Sequence, residues 1–573
     1  MKSTTLGKSG RLSSLVAAVV FVAVCLLAWH WSRGRPPDAA PWTSILPPLV
    51  AISLALATNK VVVSLFAGVL LGGVLVARTD SCGLWAAIPA GLWHTGQTVR
   101  RVIVPDDYDP TNLQILAFVV LMMAMLGVML ACGGLQGIAQ WLSRYARSRR
   151  STQLVTVLLG LVVFIDDYAN TMIVGPTMRP LTDRHRISRE KLAFLVDATA
   201  APIAGLAVVS TWIGYEVGLL GQQAADLKLG TDGYGIFFDA IGFRIYCLGM
   251  IAFLAWNVLS GQDFGPMAAA ERRARQLGKP LADDARVLGA KMLSAAAPRC
   301  DAPVRAYSGL LPMLAVLLFF LCGLWIDGGG MAAMQADWFA LGRASVWREA
   351  LGNADKNLLL TLAGGFGLAT AWVLALVAER ISLGSALRAT LRGAQAAILP
   401  VTILVLAWSL NSCCGQLRTG EYLAEMLKGV IGPGLYPPLV FVVACLASFS
   451  MGTSWGTMGI LIPTALPVAF ALDEGVYGRI TVLAAAAILD GAIFGDHCSP
   501  ISDTTILSSA AASCDHMAHV RTQAPYSLLV AALALLLGYI PAAQGAPWWL
   551  GLCAVTAASG AVLGGLVLLR RNK

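Results

Sequence analysis

Charge is the scarcest property of this sequence. Lys, Arg, Asp and Glu make up only 13% of its 573 residues, against about 25% in a soluble protein. With 57% of its residues hydrophobic, the chain cannot clothe itself in water, which excludes a soluble globular protein. No CxxC pair occurs among its twelve scattered cysteines; Cys413 and Cys414 are simply neighbours. Neither a zinc site nor a disulfide framework is indicated. The absence of a GxxxxGK[ST] loop argues against a primary ATP-driven pump. An intramembrane aspartyl protease would need a GxGD element, but Asp496 is preceded by Ile493 and Phe494, so no enzyme is expected.

What the chain has in abundance is apolar runs, several long enough to cross a hydrocarbon layer of about 30 Å. The expected fold class is an all-α polytopic membrane protein, with about twelve transmembrane helices plus two re-entrant hairpins, built as inverted repeats with broken helices. Helices are expected near 13–31, 43–58, 61–77, 113–135, 191–220, 237–259, 309–326, 357–378, 394–411, 480–512, 525–541 and 547–569. The segment 15–31 follows Lys2, Lys8 and Arg11 but is long for a signal peptide and lacks a small-x-small site, so it reads as a retained first helix. The formal charge of +9 fits basic loops on the cytoplasmic side rather than nucleic acid. The loop 261–308 carries Arg272, Arg273, Arg275, Lys279, Arg286, Lys291, Arg299 and Arg305 and is expected in the cytoplasm. Both termini then fall on the same side, with Arg33 and Arg35 as exceptions, in a multi-pass protein of the plasma membrane, most simply a bacterial inner membrane.

The stretch LVVFIDDYANTMIVGP (161–176) puts Asp166 and Asp167 in a run apolar enough to enter a bilayer. Arg144, Arg147, Arg149 and Arg150 precede it, and Arg179, Arg184, Arg186, Arg189 and Lys191 follow. A single crossing would strand one basic cluster outside, whereas a re-entrant hairpin over 153–178 keeps both on one side, its tip at 166–171. A plain helix that breaks the charge rule is the competing reading. A second hairpin is expected at 438–472, where SMGTSWGT (450–457) is poor helix. Thr171-Met172 and Pro176-Thr177 in the first are echoed by Thr457-Met458 and Pro463-Thr464 in the second. Each precedes an interrupted helix, 191–220 broken near Pro202 and Gly205, and 480–512 broken near Pro500. Five crossings between the hairpins would invert one relative to the other. The expected organisation is N-terminal helices (1–100), a first repeat (101–260), the loop 261–308, a second repeat (309–541) and a last helix (542–573).

A carboxylate at the bilayer centre costs on the order of 2.5–3.5 kcal/mol. Asp166, Asp167, Asp197, Asp490, Asp496 and Asp503 all fall in apolar surroundings without an obvious basic partner. Such acids can carry a proton, bind a cation or face water, and the same oxygens can alternate between the first two. Their neighbours supply the oxygen that small hard cations prefer: Asn170 and Thr171 near Asp167, Thr199 near Asp197, Thr453, Ser454 and Thr457 at the second tip, and Ser499, Ser502 and Thr504 near Asp496. His497 is a candidate proton carrier. Structural alternatives stand beside these. The hydroxyls can bond their own helix backbone, Asp166 or Asp167 can cap a half-helix, one of Asp490 and Asp496 can be structural, and His497 can be a bonded core histidine. Glu216 is expected at a solvated outer mouth, and Asp515, His516 and His519 in a solvated loop.

At these residues, FIDDYANTMIVGPTMRPLTD (164–183), EKLAFLVDATAAPIAGLAVVSTWIGYE (190–216) and ILDGAIFGDHCSPISDTTILSSAAASCDHMAHVRTQAPY (488–526) resemble the NhaC-type Na+/H+ antiporter family. The family belongs to an ion-transporter group with inverted repeats and re-entrant hairpins; the likeness spans roughly 113–541. It implies exchange of Na+ for H+, no cofactor beyond the transported ions, and Asp496, Ser499 and Asp503 on one broken helix with Asp167, Asn170 and Asp197 opposite in the transport region. The expected Na+ ligands are Asp167, Asp197, Asp496 and Asp503; which of them bind directly is open. The expected partners are membrane lipid and a small cation or small organic solute, with no nucleic acid, and a homodimer is the candidate assembly. The alternative cargo is a small organic acid or amino acid moved with Na+ or H+.

Overall fold

Among the described residues of the computed structural model, which are 42–571 apart from 59, 78–83, 107–109, 286–304, 344–345, 347–349, 351–352 and 428–430, the apolar runs fold as helices and no strand occurs. Ten helices there are long and apolar enough to cross a membrane. Two shorter ones, Leu46–Thr58 and Val61–Ala77, fill the expected positions near 43–58 and 61–77. The expected helix at 13–31 lies outside the described residues. Leu84–Ile103 is a helix the hydropathy did not announce, because Pro89, His94, Thr95 and Gln97 interrupt its apolar face. It packs on Val61–Ala77.

Twelve helices position the site. The first pair is α1 (Arg149–Val162) and α2 (Asp167–Arg184). Then come α3 (Arg189–Asp197), the single turn α4 (Ala201–Ala204) and α5 (Thr211–Asp226). α6 (Ile245–Ser260) and the amphipathic α7 (Gly265–Leu277) follow. The later part holds α8 (Tyr436–Met451), α9 (Ser454–Leu472), α10 (Arg479–Cys498), α11 (Asp503–Ala511) and α12 (His516–Leu533). α12 runs on through a π-helical segment, Ala534–Tyr539, to Ile540–Ala543.

Each expected hairpin is a pair of adjacent helices whose outer ends lie together, and in the second pair Pro433–Met451 and Ser454–Leu472 are both long and apolar enough to cross a membrane. Arg149, the first residue of α1, donates to the carbonyl of Arg186 just past the end of α2, 2.5 Å away. At 14 residues, α1 is about 21 Å long, too short for a layer of about 30 Å. In the second pair, Tyr436 at the start of α8 donates to the carbonyl of Ala465 far along α9, at 2.8 Å. The turns follow from local chemistry. Asp166 is extended and caps α2, accepting from the Ala169 amide at 2.9 Å. Gly452, at φ +67°, ends α8 in the left-handed region, and a Cβ there would lie 2.8 Å from Ile501. Thr453 then caps α9 through the Gly456 amide.

The two hairpins point at one another. The base of the first sits at the start of α12: Arg179 reaches Ser513 Oγ at 2.6 Å, and Arg189 reaches the Ala512 carbonyl at 2.9 Å. The base of the second sits at the far end of that continuous helix. Arg479 donates to the Ala542 carbonyl at 2.8 Å, and Ile540–Ala543 packs on Pro433–Leu435. The intervening 28 residues span about 42 Å. The loop expected at 261–308 contains α7, tied to the first hairpin's base by Arg149–Glu271 and to α3 by Arg273–Glu190 at 2.8 Å; 286–304 lie outside the described residues.

Candidate functional site

The chain is not helical where the tips meet. Between α3 and α5, helix is interrupted at 198–200 and 205–210; between α10 and α11 it is interrupted at 499–502. Ser210 caps α5, accepting from the Trp212 and Ile213 amides while donating to the Ala204 carbonyl at 2.8 Å. Ser499 donates to the Phe449 carbonyl at 2.7 Å, pinning the second break to the second hairpin. Asn170 pins the first break to the first hairpin, its amide shared among the carbonyls of Gly160, Val163 and Thr199 at 2.8–3.2 Å.

Asp496, buried at the end of α10, is the meeting point. Its Oδ2 accepts from Ser454 Oγ, at the tip of the second hairpin, at 2.9 Å. Its Oδ1 accepts from Ser502 Oγ in the break at 2.6 Å, and Thr504 Oγ1 is 2.8 Å from that hydroxyl. Asp503 is exposed and accepts from the hydroxyl of Tyr168 on the first tip. Asp167 accepts from Trp212 Nε1 at 3.1 Å. Trp212 lies edge-on to Trp455, ring centroids 6.0 Å apart, and Tyr215 stacks on Trp455 at 4.3 Å and donates to its carbonyl. A run of contacts thus leads from Asp167 to the second tip and on to Asp496, with Asp503 and Tyr168 closing it.

Other expected residues serve the frame. Asp166 accepts from Thr211 at 2.9 Å besides capping α2. Thr171, Thr199 and Thr457 each bond the backbone carbonyl four residues earlier at 2.7–2.8 Å. Asp197 and His497 form a neighbouring group, in which Asp197 Oδ2 accepts from Gln523 at 2.8 Å and lies 3.2 Å from His519 Nε2. His497 Nδ1 is 2.8 Å from the Tyr246 hydroxyl, and its carbonyl accepts from Gln523. The buried oxygens Asn170 Oδ1 and Asp197 Oδ1 have no partner among the described residues; such atoms are what a bound cation or water satisfies. No group of three or more His, Cys, Asp or Glu side chains able to hold a metal ion occurs among the described residues. Asp167, Asp197, Asp496 and Asp503 therefore do not form one carboxylate cage, and any cation there draws on hydroxyl and carbonyl oxygen as well.

Three expectations are corrected. Asp490 is apart from the tips and has a basic partner, Arg244 Nε at 3.0 Å; the same guanidinium reaches Glu216 at 3.3 Å. Glu216 is fully buried rather than solvated. His519 is fully buried on α12 and His516 nearly so, while Asp515 caps that helix through the Ala518 amide. Hydropathy misled here because one long-range partner replaces the water that each polar group seemed to need. Tyr168, Trp212, Trp455, Gln523 and Arg244 were missed as participants. For His519 and Gln523 there was a signal, since their i, i+4 spacing places both on one face of α12. A separate open cavity of about 620 Å³, lined by Gln223, Asp226, Asn411, Arg418, Glu421 and Phe470 among others, contains none of the tip residues.

With that geometry in view, comparison with known proteins is decisive for the family. Residues 203–541 match the model of the Na+/H+ antiporter family. The chain belongs to that family. An uncharacterised protein of Haemophilus influenzae is 30% identical over 502 residues, 87% of this chain and 90% of that protein. A malate-2H+/Na+-lactate antiporter of Bacillus subtilis is 42% identical over 91 residues, 16% of this chain and 18% of that protein. In fold, the antiporter resembles the YdaH transporter of Alcanivorax borkumensis, with a TM-score of 0.51 at 16% identity, covering 86% of this chain and 99% of that one. The protein is a multi-pass membrane transporter of the antiporter class.

Proposed function

We propose that this antiporter exchanges Na+ for H+ at Asp496 and Asp503, with Asp167 alongside, the two ions competing for the same carboxylate oxygens. The observation that carries the reading is the double hold on Asp496. One hydroxyl comes from the second hairpin tip and one from the broken helix, so occupancy of this carboxylate is felt by both elements. The first tip joins through Tyr168 on the exposed Asp503, which offers the solvated entry. A proton or Na+ removes the charge that burial disfavours, and the loss of either changes the hydroxyl pattern at the tips. In this reading the hairpins re-enter a plasma membrane from opposite faces, and the basic loop and both termini lie in the cytoplasm.

The test uses everted membrane vesicles and a pH-sensitive dye. Addition of Na+ without any organic solute should dissipate a preformed proton gradient, and Asp496→Asn should abolish that response with protein still in the membrane. Retained Na+-dependent proton flux in Asp496→Asn refutes the role. The short match to a malate–lactate antiporter supplies a second reading, exchange of a small organic acid. Silence with Na+ alone, together with uptake of labelled malate or lactate, would replace the first reading with the second.

A further inference from the structure

The buried group around Arg244 holds one more acid than it can neutralise. Arg244, Glu216 and Asp490 are each 1% exposed or less at the side chain. One guanidinium thus faces two carboxylates. The two acids are not equivalent. Asp490 accepts from Arg244 Nε at 3.0 Å, from the Tyr246 amide at 2.6 Å and from the Tyr539 hydroxyl at 2.9 Å. Glu216 has only the longer contact from Arg244 Nη1, 3.3 Å to Oε2, and its Oε1 has no partner among the described residues. Three donors hold an anion; a free oxygen on the other acid is where a proton can sit without breaking a bond already made.

We infer that Glu216 is a second proton-binding site, separate from the carboxylates between the hairpin tips. The site is built against the first helix break. A Cβ on Gly205 would lie 3.2 Å from Glu216 Oε1, 3.1 Å from Arg244 Nη2 and 2.6 Å from Ile493 Cδ1, so the broken segment rests directly on this group. α5 connects it to the tips, because Glu216 lies one turn after Trp212, which holds Asp167, and next to Tyr215, which holds the Trp455 carbonyl. The other titratable groups facing it are Cys247 on α6, Tyr539 beyond α12, and Cys445 on α8, which lies near Asp490. Helix Gly233–Ile241, also against α5, offers Tyr234 and Asp239, the latter held by Tyr477 at 3.0 Å. Helix Ile398–Gln416 offers Cys413 and Cys414, while α4, α9 and Thr111–Ala131 bear no ionisable side chain. Arg244 is thus the one cation among these groups.

The inference rests on the exchange reading, and its test separates the two. Full-length wild type, Glu216→Gln and Asp490→Asn are reconstituted in liposomes enclosing a pH dye, and Na+-driven proton flux is followed from about pH 6 to about pH 9. Glu216→Gln, the isostere of the protonated acid, should accumulate like wild type and keep its Na+ half-saturation within about twofold, while its pH profile flattens or moves by about one unit. Asp490→Asn should be lost from the membrane. A Glu216→Gln profile superimposable on wild type overturns the inference, and so does its loss as complete as that of Asp490→Asn. If wild type itself gives no Na+-driven flux, the exchange reading fails. The proton site is then decided by thermal unfolding against pH: a curve that loses its pH dependence in Glu216→Gln supports it, and parallel curves overturn it.

Discussion

Ser454→Ala isolates one bond at the centre of the proposed site. Ser454 follows the cap residue Thr453 and its hydroxyl is spent on Asp496 Oδ2 at 2.9 Å, so removing it spares the turn and strips the carboxylate of one of two hydroxyl donors. A hydrogen bond to an ionised group contributes about 1.5–3 kcal/mol, which at about 1.4 kcal/mol per tenfold corresponds to roughly 10- to 100-fold. The bond stabilises the anion more than its protonated form, so its loss favours the proton in the competition with Na+. Na+ half-saturation at fixed pH should therefore rise by about 10-fold or more, and alkaline medium should recover much of it. The assay is Na+-dependent dequenching in everted vesicles at several pH values. Ser409→Ala is the control, since that equally buried hydroxyl bonds the Val405 carbonyl of its own helix at 2.7 Å. A half-saturation for Ser454→Ala within about twofold of the control would refute the reasoning.

Other consequences can be measured on the same preparations. Arg244→Met leaves Asp490 buried without its cation and should cost about 3–5 kcal/mol, read as a large fall in melting temperature or in membrane abundance. Gly452→Ala meets both a φ of +67° and an atom 2.8 Å from its Cβ, so about 1–3 kcal/mol of destabilisation is expected, together with slower exchange because the tip holding Ser454 is displaced. Trp212→Phe removes the donor to Asp167 and keeps most of the ring packing, so exchange should weaken by about tenfold with little change in melting temperature. Glu271→Gln loosens the contacts of α7 with Arg149 and with the Ser188 amide at 2.8 Å. Limited proteolysis should then cleave within 265–285 sooner than in wild type, with exchange retained.

Sequence alone determined the membrane-spanning character, the positions of most helices and both helix interruptions, because each rests on local chemistry. Hydropathy runs mark the spans, Gly452 and Asp166 set the turns, and Pro202 and Pro500 mark interruptions where proline cannot continue a backbone ladder. It also singled out Asp167, Asp496 and Asp503, the acids on which the proposed exchange rests. What it could not determine was which acid answers to which partner. Asp490 and Asp496 sit six residues apart in the same apolar helix and look alike in sequence, yet one is held by Arg244 and the other by two hydroxyls. Glu216 and His519 looked solvated and are buried. Those assignments belong to the tertiary structure, because the free energy of a buried charge is set by groups within a few ångströms in space, and those groups come from other elements, as Arg244 does to Asp490 across 246 residues of the chain.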